Sequence, residues 1–230
     1  PVRFGDVQGV IGIKAVHLTT AAERRTMPKT KDLYIDIGAA SKAAAEDKVS
    51  LGDYGVFDSA VVEFGDGLIK AKAIDDRVGC AALLKLIEDE PPIDTWFCFT
   101  VQEEVGLRGA ASMAYALDPG FAMVLEGTTA ADLAEVEGGK AVCRVRGGVV
   151  LPFMDGATIY DAELFELLRN ACDKRGIRWQ TKTRVAGGTD AGRIHKSRAG
   201  VRVCAAAAPV RYIHSHHGFA SYADYRSAVD

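Results

Sequence analysis

Strands alternating with helices from Ile69 onward predict a three-layer α/β sheet, preceded by a β-rich first part. Three observations carry this. Glycine turns space short β-like pieces over residues 1 to 68. Apolar runs such as Trp96–Val101 have the length and continuity of strands buried on both faces. Arg77–Glu88 and Asp161–Arg175 carry helix start and stop signals between such runs.

In the first part, candidate strands are Val7–Ala15, Asp32–Ile37 and Gly55–Phe64, with a basic polar loop at Glu23–Lys29. Regular short strands with glycine turns suggest a small barrel or sandwich. A short helix over Ser41–Asp47 is expected, because Ser41 can cap it and Ala43–Ala45 favour it. Gly65-Asp66-Gly67 marks the changeover to the second part.

The second part opens with a helix over 77–88, its expected apolar stripe formed by Val78, Ala81, Ala82, Leu84 and Leu86 with the stem of Lys85. Asp75-Asp76 suits its positive N-terminal end, and Pro91-Pro92 terminates the element. There follow strand 95–101, helix 108–116, strand 121–125, strand 141–146 and helix 161–175. Asp161 is the expected cap of that last helix and Gly176 its stop. Strand 177–185, a glycine turn at 187–188, strand 201–207 and a helix from Ser221 complete the pattern.

The 230 residues carry a formal charge of −3 and are 48% hydrophobic and 26% charged. With a pI near 6.0 and a mean hydropathy of +0.03, the chain gives no electrostatic reason to expect nucleic acid or an anionic membrane as partner. No apolar run approaches the ~20 residues needed to span a bilayer, and no signal peptide is legible at Pro1–Gly5. Five scattered cysteines without a C-x-x-C argue against a disulfide framework, with Cys80 and Cys98 expected as buried small hydrophobes. A reducing cytoplasm is the expected compartment. The ends read as interrupted elements, so the sequence is expected to be part of a longer chain.

Chemistry-bearing residues fall in four clusters at loop positions: Asp75-Asp76-Arg77, Glu103-Glu104, Glu126-Gly127 and His214-Ser215-His216-His217. Singly, each has a plain structural reading. Asp75 and Asp76 can cap a helix, Glu103 and Glu104 can sit in a solvated loop, Glu126 can be a turn acid, and the histidines can be loop or surface residues. Together, carboxylates and an imidazole at strand ends can converge on one crevice of an open α/β sheet. A mixed Asp/Glu/His set suits zinc, cobalt or manganese better than calcium. An aspartate can bridge two ions, and a glutamate beside a ligand glutamate is a natural general base.

Two stretches, Ala71-Lys72-Ala73-Ile74-Asp75-Asp76-Arg77-Val78-Gly79-Cys80 and Val101-Gln102-Glu103-Glu104-Val105-Gly106-Leu107-Arg108-Gly109-Ala110, resemble the tetrahedral dinuclear metallo-aminopeptidases. This family includes glutamyl and deblocking aminopeptidases and carries an old cellulase label. Leu33–Ala39, Gly187–His195 and Arg211–Ser215 match in the same order. The resemblance implies a three-layer α/β/α catalytic domain of zinc-exopeptidase type over 69–230, with a small β-barrel-like dimerisation insert over 1–68. It implies two divalent metal ions per subunit, Asp75 bridging them and Glu104 and His214 completing one. Glu126 stands where the family has its other terminal carboxylate, with Asp132 as a weaker substitute, and Glu103 would be the general base. The family's upstream His-x-Asp motif is not among these residues, and His17 matches a histidine of the insert instead.

The implied activity is removal of N-terminal residues from short peptides by a homo-oligomer, dimers building a tetrahedral dodecamer. Two other readings stand beside it. A glycosidase needs carboxyls roughly 5–9.5 Å apart on opposite sides of a glycosidic bond, which adjacent glutamates fit badly. A non-catalytic assembly or binding homologue rests on the missing histidine motif.

Overall fold

The computed structural model describes all 230 residues, which form two compact units, 1–60 and 61–230. In the first, β1 (Val2–Phe4), β2 (Val7–Gly12), β3 (Tyr34–Asp36) and β4 (Val56–Phe57) build an antiparallel sheet in the order β3-β2-β1-β4. Its two edge strands do not meet, so the sheet is open and not the expected barrel, which requires closure. The helix α1 (Lys42–Glu46) starts where Ser41 Oγ accepts from Ala44 N at 3.2 Å, as its sequence requires.

The second unit holds a seven-stranded sheet. Its strands are β5 (Val62–Phe64), β6 (Leu68–Ala71), β7 (Phe121–Thr129), β8 (Val149–Val150), β9 (Trp179–Gln180), β10 (Arg202–Arg211) and β11 (Gly218–Ser221). The hairpin β5–β6, which straddles position 68, belongs to this sheet. β10 is its spine, parallel to β7 from Arg202↔Phe121 to Val210↔Thr129 and antiparallel to β8 and β11 on its other side. The helices are α2 (Ile74–Glu88), α3 (Arg108–Leu117), α4 (Ala162–Arg175), α5 (Ala191–Ile194) and α6 (Tyr222–Val229).

Alternation along β10 assigns the layers. Val203 and Ala205 pack with Ala110 and Ala114 of α3 and Ile194 of α5. Ala206 faces the other way, with Ala82 of α2, Cys172 of α4 and Tyr225 of α6. Helices therefore cover both faces, giving the expected α/β/α layering. No helix is long and apolar enough to cross a membrane.

Helix ends match their sequence signals. Asp161 Oδ1 accepts from Leu164 N at 3.0 Å, Gly176 stops α4 at φ +69°, and Ser221 Oγ accepts from Ala223 N. Five expectations need correction. Residues 95–101 join no ladder, Trp96 is 75% exposed and Phe99 and Val101 are exposed too; an apolar run becomes a buried strand only beside a pairing edge. Residues 141–146 are not a strand either: the N–H groups of Arg144, Val145 and Arg146 go to side chains and those of Val142 and Cys143 to nearby carbonyls, none to the backbone of a neighbouring strand. Of 177–185 only Trp179–Gln180 pair. Finally, Leu84 and Ala81 of α2 are exposed while Ala82, Leu83 and Leu86 pack on the sheet, and Cys80 and Cys98 are half-buried.

Candidate metal centre

The site is assembled at the turns that follow β6, precede α3 and follow β10. Asp75 and Asp76 have non-helical backbone ahead of the regular part of α2 and are joined by a cis peptide bond. The two acids part company there. Asp76 Oδ1 accepts from Gly79 N at 2.9 Å and from Gly127 N at 3.0 Å, so it caps the helix and ties it to β7. Gly79 permits this approach, since a Cβ there would lie 2.2 Å from the Leu125 carbonyl oxygen and 2.4 Å from Asp76 Oδ2. Asp75 turns instead toward His214.

Glu103 and Glu104 lie in a tight turn whose geometry comes from the backbone. Gly106 N and Leu107 N both donate to the Glu103 carbonyl, and Gly109 N donates to Val101 O at 2.9 Å. Gly109 has no room for a side chain, a Cβ falling 2.5 Å from Val101 O. His214 sits at φ +58° in the turn joining β10 to β11, where the Ser215 hydroxyl donates to Tyr212 O and His217 O.

These three turns bring one oxygen of Asp75, one of Glu104 and a ring nitrogen of His214 within 4.8 Å of one another. His214 Nε2 lies 3.2 Å from Asp75 Oδ2 and 3.5 Å from Glu104 Oε2. Asp75 is largely covered, while Glu104 and His214 are open to solvent at 57% and 66% side-chain exposure. Two oxygens and an imidazole converging from separate turns are a donor set that fits a divalent ion. Glu126 is not within that trio. It occupies the β7 position opposite Ala207, within electrostatic reach of Asp75, Asp76 and Glu103. His216 and His217 pack on each other, ring centroids 3.9 Å apart, and take no part in the trio.

Electrostatics express the crowding of acids. Burial, and then the Glu104 charge, push the Asp75 carboxyl up to about 6 against the opposing pull of His214. Asp76 is pushed up to about 8, mainly by burial, despite its two N–H donors. Glu103 rises to about 7 through burial and the charges of Glu104, Asp190 and Asp75. Glu126 lies well above the ordinary carboxylate range, chiefly from burial, with Lys182 pulling the other way.

Of two further neighbours, sequence reasoning missed Lys182 and reached Asp190 only as part of the Gly187–Asp190 turn. Lys182 acts on Asp75 and Glu126 from a segment anchored by Thr183 N to Val142 O, and no pattern around it signals that. Asp190 accepts from the Thr100 hydroxyl through Oδ2, whereas its buried Oδ1 has no hydrogen bond. The Gly-Gly-Thr-Asp run was the available signal for it.

Fold and site together define a class: a three-layer α/β protein with a carboxylate–imidazole cluster at its loop ends. The chain belongs to the M42 glutamyl aminopeptidase family, whose model matches residues 2–230. It is 36% identical over 223 residues to a protein of Acetivibrio thermocellus named provisionally as an aminopeptidase, covering 96% of this chain and 66% of that one. Among solved structures, the aminopeptidase APDkam598 of the archaeon Desulfurococcus kamchatkensis superposes with a TM-score of 0.91 at 34% identity, over 99% of this chain and 65% of that one. The TET1 peptidase of Pyrococcus horikoshii, which can assemble into a tetrahedron or a large octahedral shell, gives 0.78 at 29% identity, over 96% and 65%. The 230 residues thus span just under two thirds of the length of these relatives.

Proposed function

We propose that this protein is a metal-dependent aminopeptidase that removes N-terminal residues from short peptides. The observation that carries the reading is the convergence of Asp75, Glu104 and His214 from three separate turns, with Glu103 beside them. In this reading Asp75, Glu104 and His214 would hold one divalent ion, and Asp75 and Glu126 would serve a second. Zinc or cobalt suits the mixed donors, with manganese the alternative. A catalytic zinc takes three protein ligands, and the family resemblance puts the remaining donor in a His-x-Asp motif outside residues 1–230. Bound ions supply Lewis acidity at the scissile carbonyl and at the attacking water.

The chain's own residues do the proton work. Glu103 is a carboxylate whose proton affinity burial and the neighbouring acids raise, and a carboxylate beside the donor trio can both accept and return a proton. It takes the proton of the water that adds to the first peptide carbonyl. It then returns that proton to the leaving amine as the C–N bond breaks. Asp76 holds the Asp75 turn on β7 and so fixes the bridging carboxylate.

The same reading makes the protein a cytoplasmic homo-oligomer. The first unit buries only Val2 and Gly9, while Val10, Ile13, Leu18, Met27, Leu51 and Tyr54 are exposed. An apolar surface on that scale supports an interface between copies.

Glu103→Gln in the intact protein tests the mechanism. Hydrolysis of short peptides is expected to fall by about 10²–10⁴ while metal content is retained. Unchanged hydrolysis would refute it.

A further inference from the structure

We propose that Asp132 and Arg211 form a clamp that positions His214 in the metal centre. The inference rests on the metal-centre reading and goes beyond it to two residues outside the donor set.

His214 is exposed, and its Nε2 faces Asp75 and Glu104. A metal-binding imidazole is usually oriented by a partner at its other ring nitrogen, and in His214 it is Nε2 that meets the two acids. Its ring is carried into place by the backbone of the β10–β11 turn. That turn is unusual in having left-handed backbone at two non-glycine residues, Tyr212 at φ +56° and His214 at φ +58°. Backbone of that kind persists where the surroundings over-determine it.

Arg211, three residues before His214, supplies the determination. Its Nε and Nη2 donate to the two carboxylate oxygens of Asp132, each at 2.6 Å, a planar fork meeting a planar acceptor. Asp132 has 5% side-chain exposure, and Val145 N takes the further acceptor position on Oδ2 at 3.1 Å. The Arg211 guanidinium also lies over the ring of Phe219, 5.2 Å from its centroid, directly across the β10–β11 pair. Gly218 closes the turn against the Arg211 carbonyl, leaving no space for a Cβ.

The clamp is itself anchored in the core. The segment after Val145 is fixed by Asp224 of α6, whose carboxylate accepts from Arg146 N at 2.6 Å and Gly148 N at 2.7 Å. A continuous path runs from α6 through this segment and Asp132 to Arg211 and the His214 turn. Asp132 is thus a positioning residue and not a substitute ligand: its two oxygens are already occupied by donors.

The test measures cobalt(II) binding to the intact protein by competition with a chromogenic chelator, with the visible absorption of the bound ion as a second readout. His214→Ala identifies the equivalent that this imidazole holds. Asp132→Asn is expected to raise the dissociation constant of that equivalent by about 10–100-fold and to shift its absorption, with the circular dichroism unchanged. Arg211→Lys keeps the charge but loses the fork and is expected to fall between wild type and Asp132→Asn. If Asp132→Asn does not fold, Arg211→Lys carries the same expectation by itself. Folded variants that bind cobalt like wild type, whatever their melting temperature, overturn the proposal while His214→Ala still weakens binding. If His214→Ala also leaves binding unchanged, the metal-centre reading itself falls, and the clamp with it.

Discussion

Asp75→Asn should stabilise the metal-free protein at alkaline pH while destroying its metal affinity. The carboxyl titrates near 3.8 in the unfolded chain and about 6 in the folded protein, where burial and then Glu104 disfavour its charge. Between those values the folded state holds a proton that the unfolded state has shed. Stability therefore falls as pH rises through this window, and the whole penalty is present above 6. At about 1.4 kcal/mol per pH unit, the ionised carboxylate costs about 3 kcal/mol. Asparagine keeps the shape and removes the charge, so in chelator at pH 8 the variant should be more stable by up to about 3 kcal/mol. The gain should shrink toward zero as pH approaches 4. Zinc reverses the order: an ion present at a thousand times its Kd stabilises the protein that binds it by about 4.1 kcal/mol, and only the wild type retains the carboxylate proposed to bind it. Urea titrations at pH 4.5 and 8, with chelator and with zinc at fixed protein concentration, read all four cells. A variant no more stable than wild type at pH 8 in chelator would refute the reasoning, as would a gain that persists undiminished at pH 4.5.

Gly79→Ala places a Cβ 2.2 Å from the Leu125 carbonyl oxygen. Helix α2 must then lift from β7, and a loss of about 2 kcal/mol in denaturant unfolding is expected, together with weaker metal binding as the Asp75 turn moves. Unfolding and binding both equal to wild type would show that the approach is not tight. Asp161 serves α4 as a cap and also pairs with Arg202 at 2.7 Å, the arginine being half exposed. Asp161→Ala should lose about 1–2 kcal/mol, most of it from the cap. Asp161→Asn keeps the cap and should recover most of that; equal losses for the two variants would place the energy in the ion pair instead.

What could be read from sequence was what is local. The ends of α1, α4 and α6 are set by side chains within a few residues of the N–H groups they accept from, as at Ser41, Asp161 and Ser221. The Glu103-Glu104 and Asp75-Asp76 pairs were legible because adjacent acids ahead of a helix are rare enough to attract notice. The run 95–101 was not legible, because pairing depends on what lies beside it. Residues 141–146 misled for a related reason: the N–H groups of Arg144, Val145 and Arg146 go to Gln180, Asp132 and Asp224, up to 78 positions away. Asp132 was read as a weak substitute ligand because its partner Arg211 lies 79 residues further on. No window of sequence contains both ends of such a bond.

The Asp75-Asp76 pair shows how one residue type comes to do two jobs. Both carboxyls are raised mainly by burial, and Asp76 more than Asp75. Asp76 nonetheless has two N–H donors that fix it in place, whereas Asp75 has the His214 ring and a neighbouring acid. The first is held by the fold whatever its protonation. The second is held in company that only added positive charge makes favourable, since Glu104, Glu103 and Glu126 crowd the same space. A fold selected for stability alone would replace Asp75 with a neutral side chain, because that change removes a penalty and breaks no backbone hydrogen bond. The proposed cation accounts for an ionisable aspartate there, and the predicted stability gain of Asp75→Asn in chelator measures what the fold would give up to hold one.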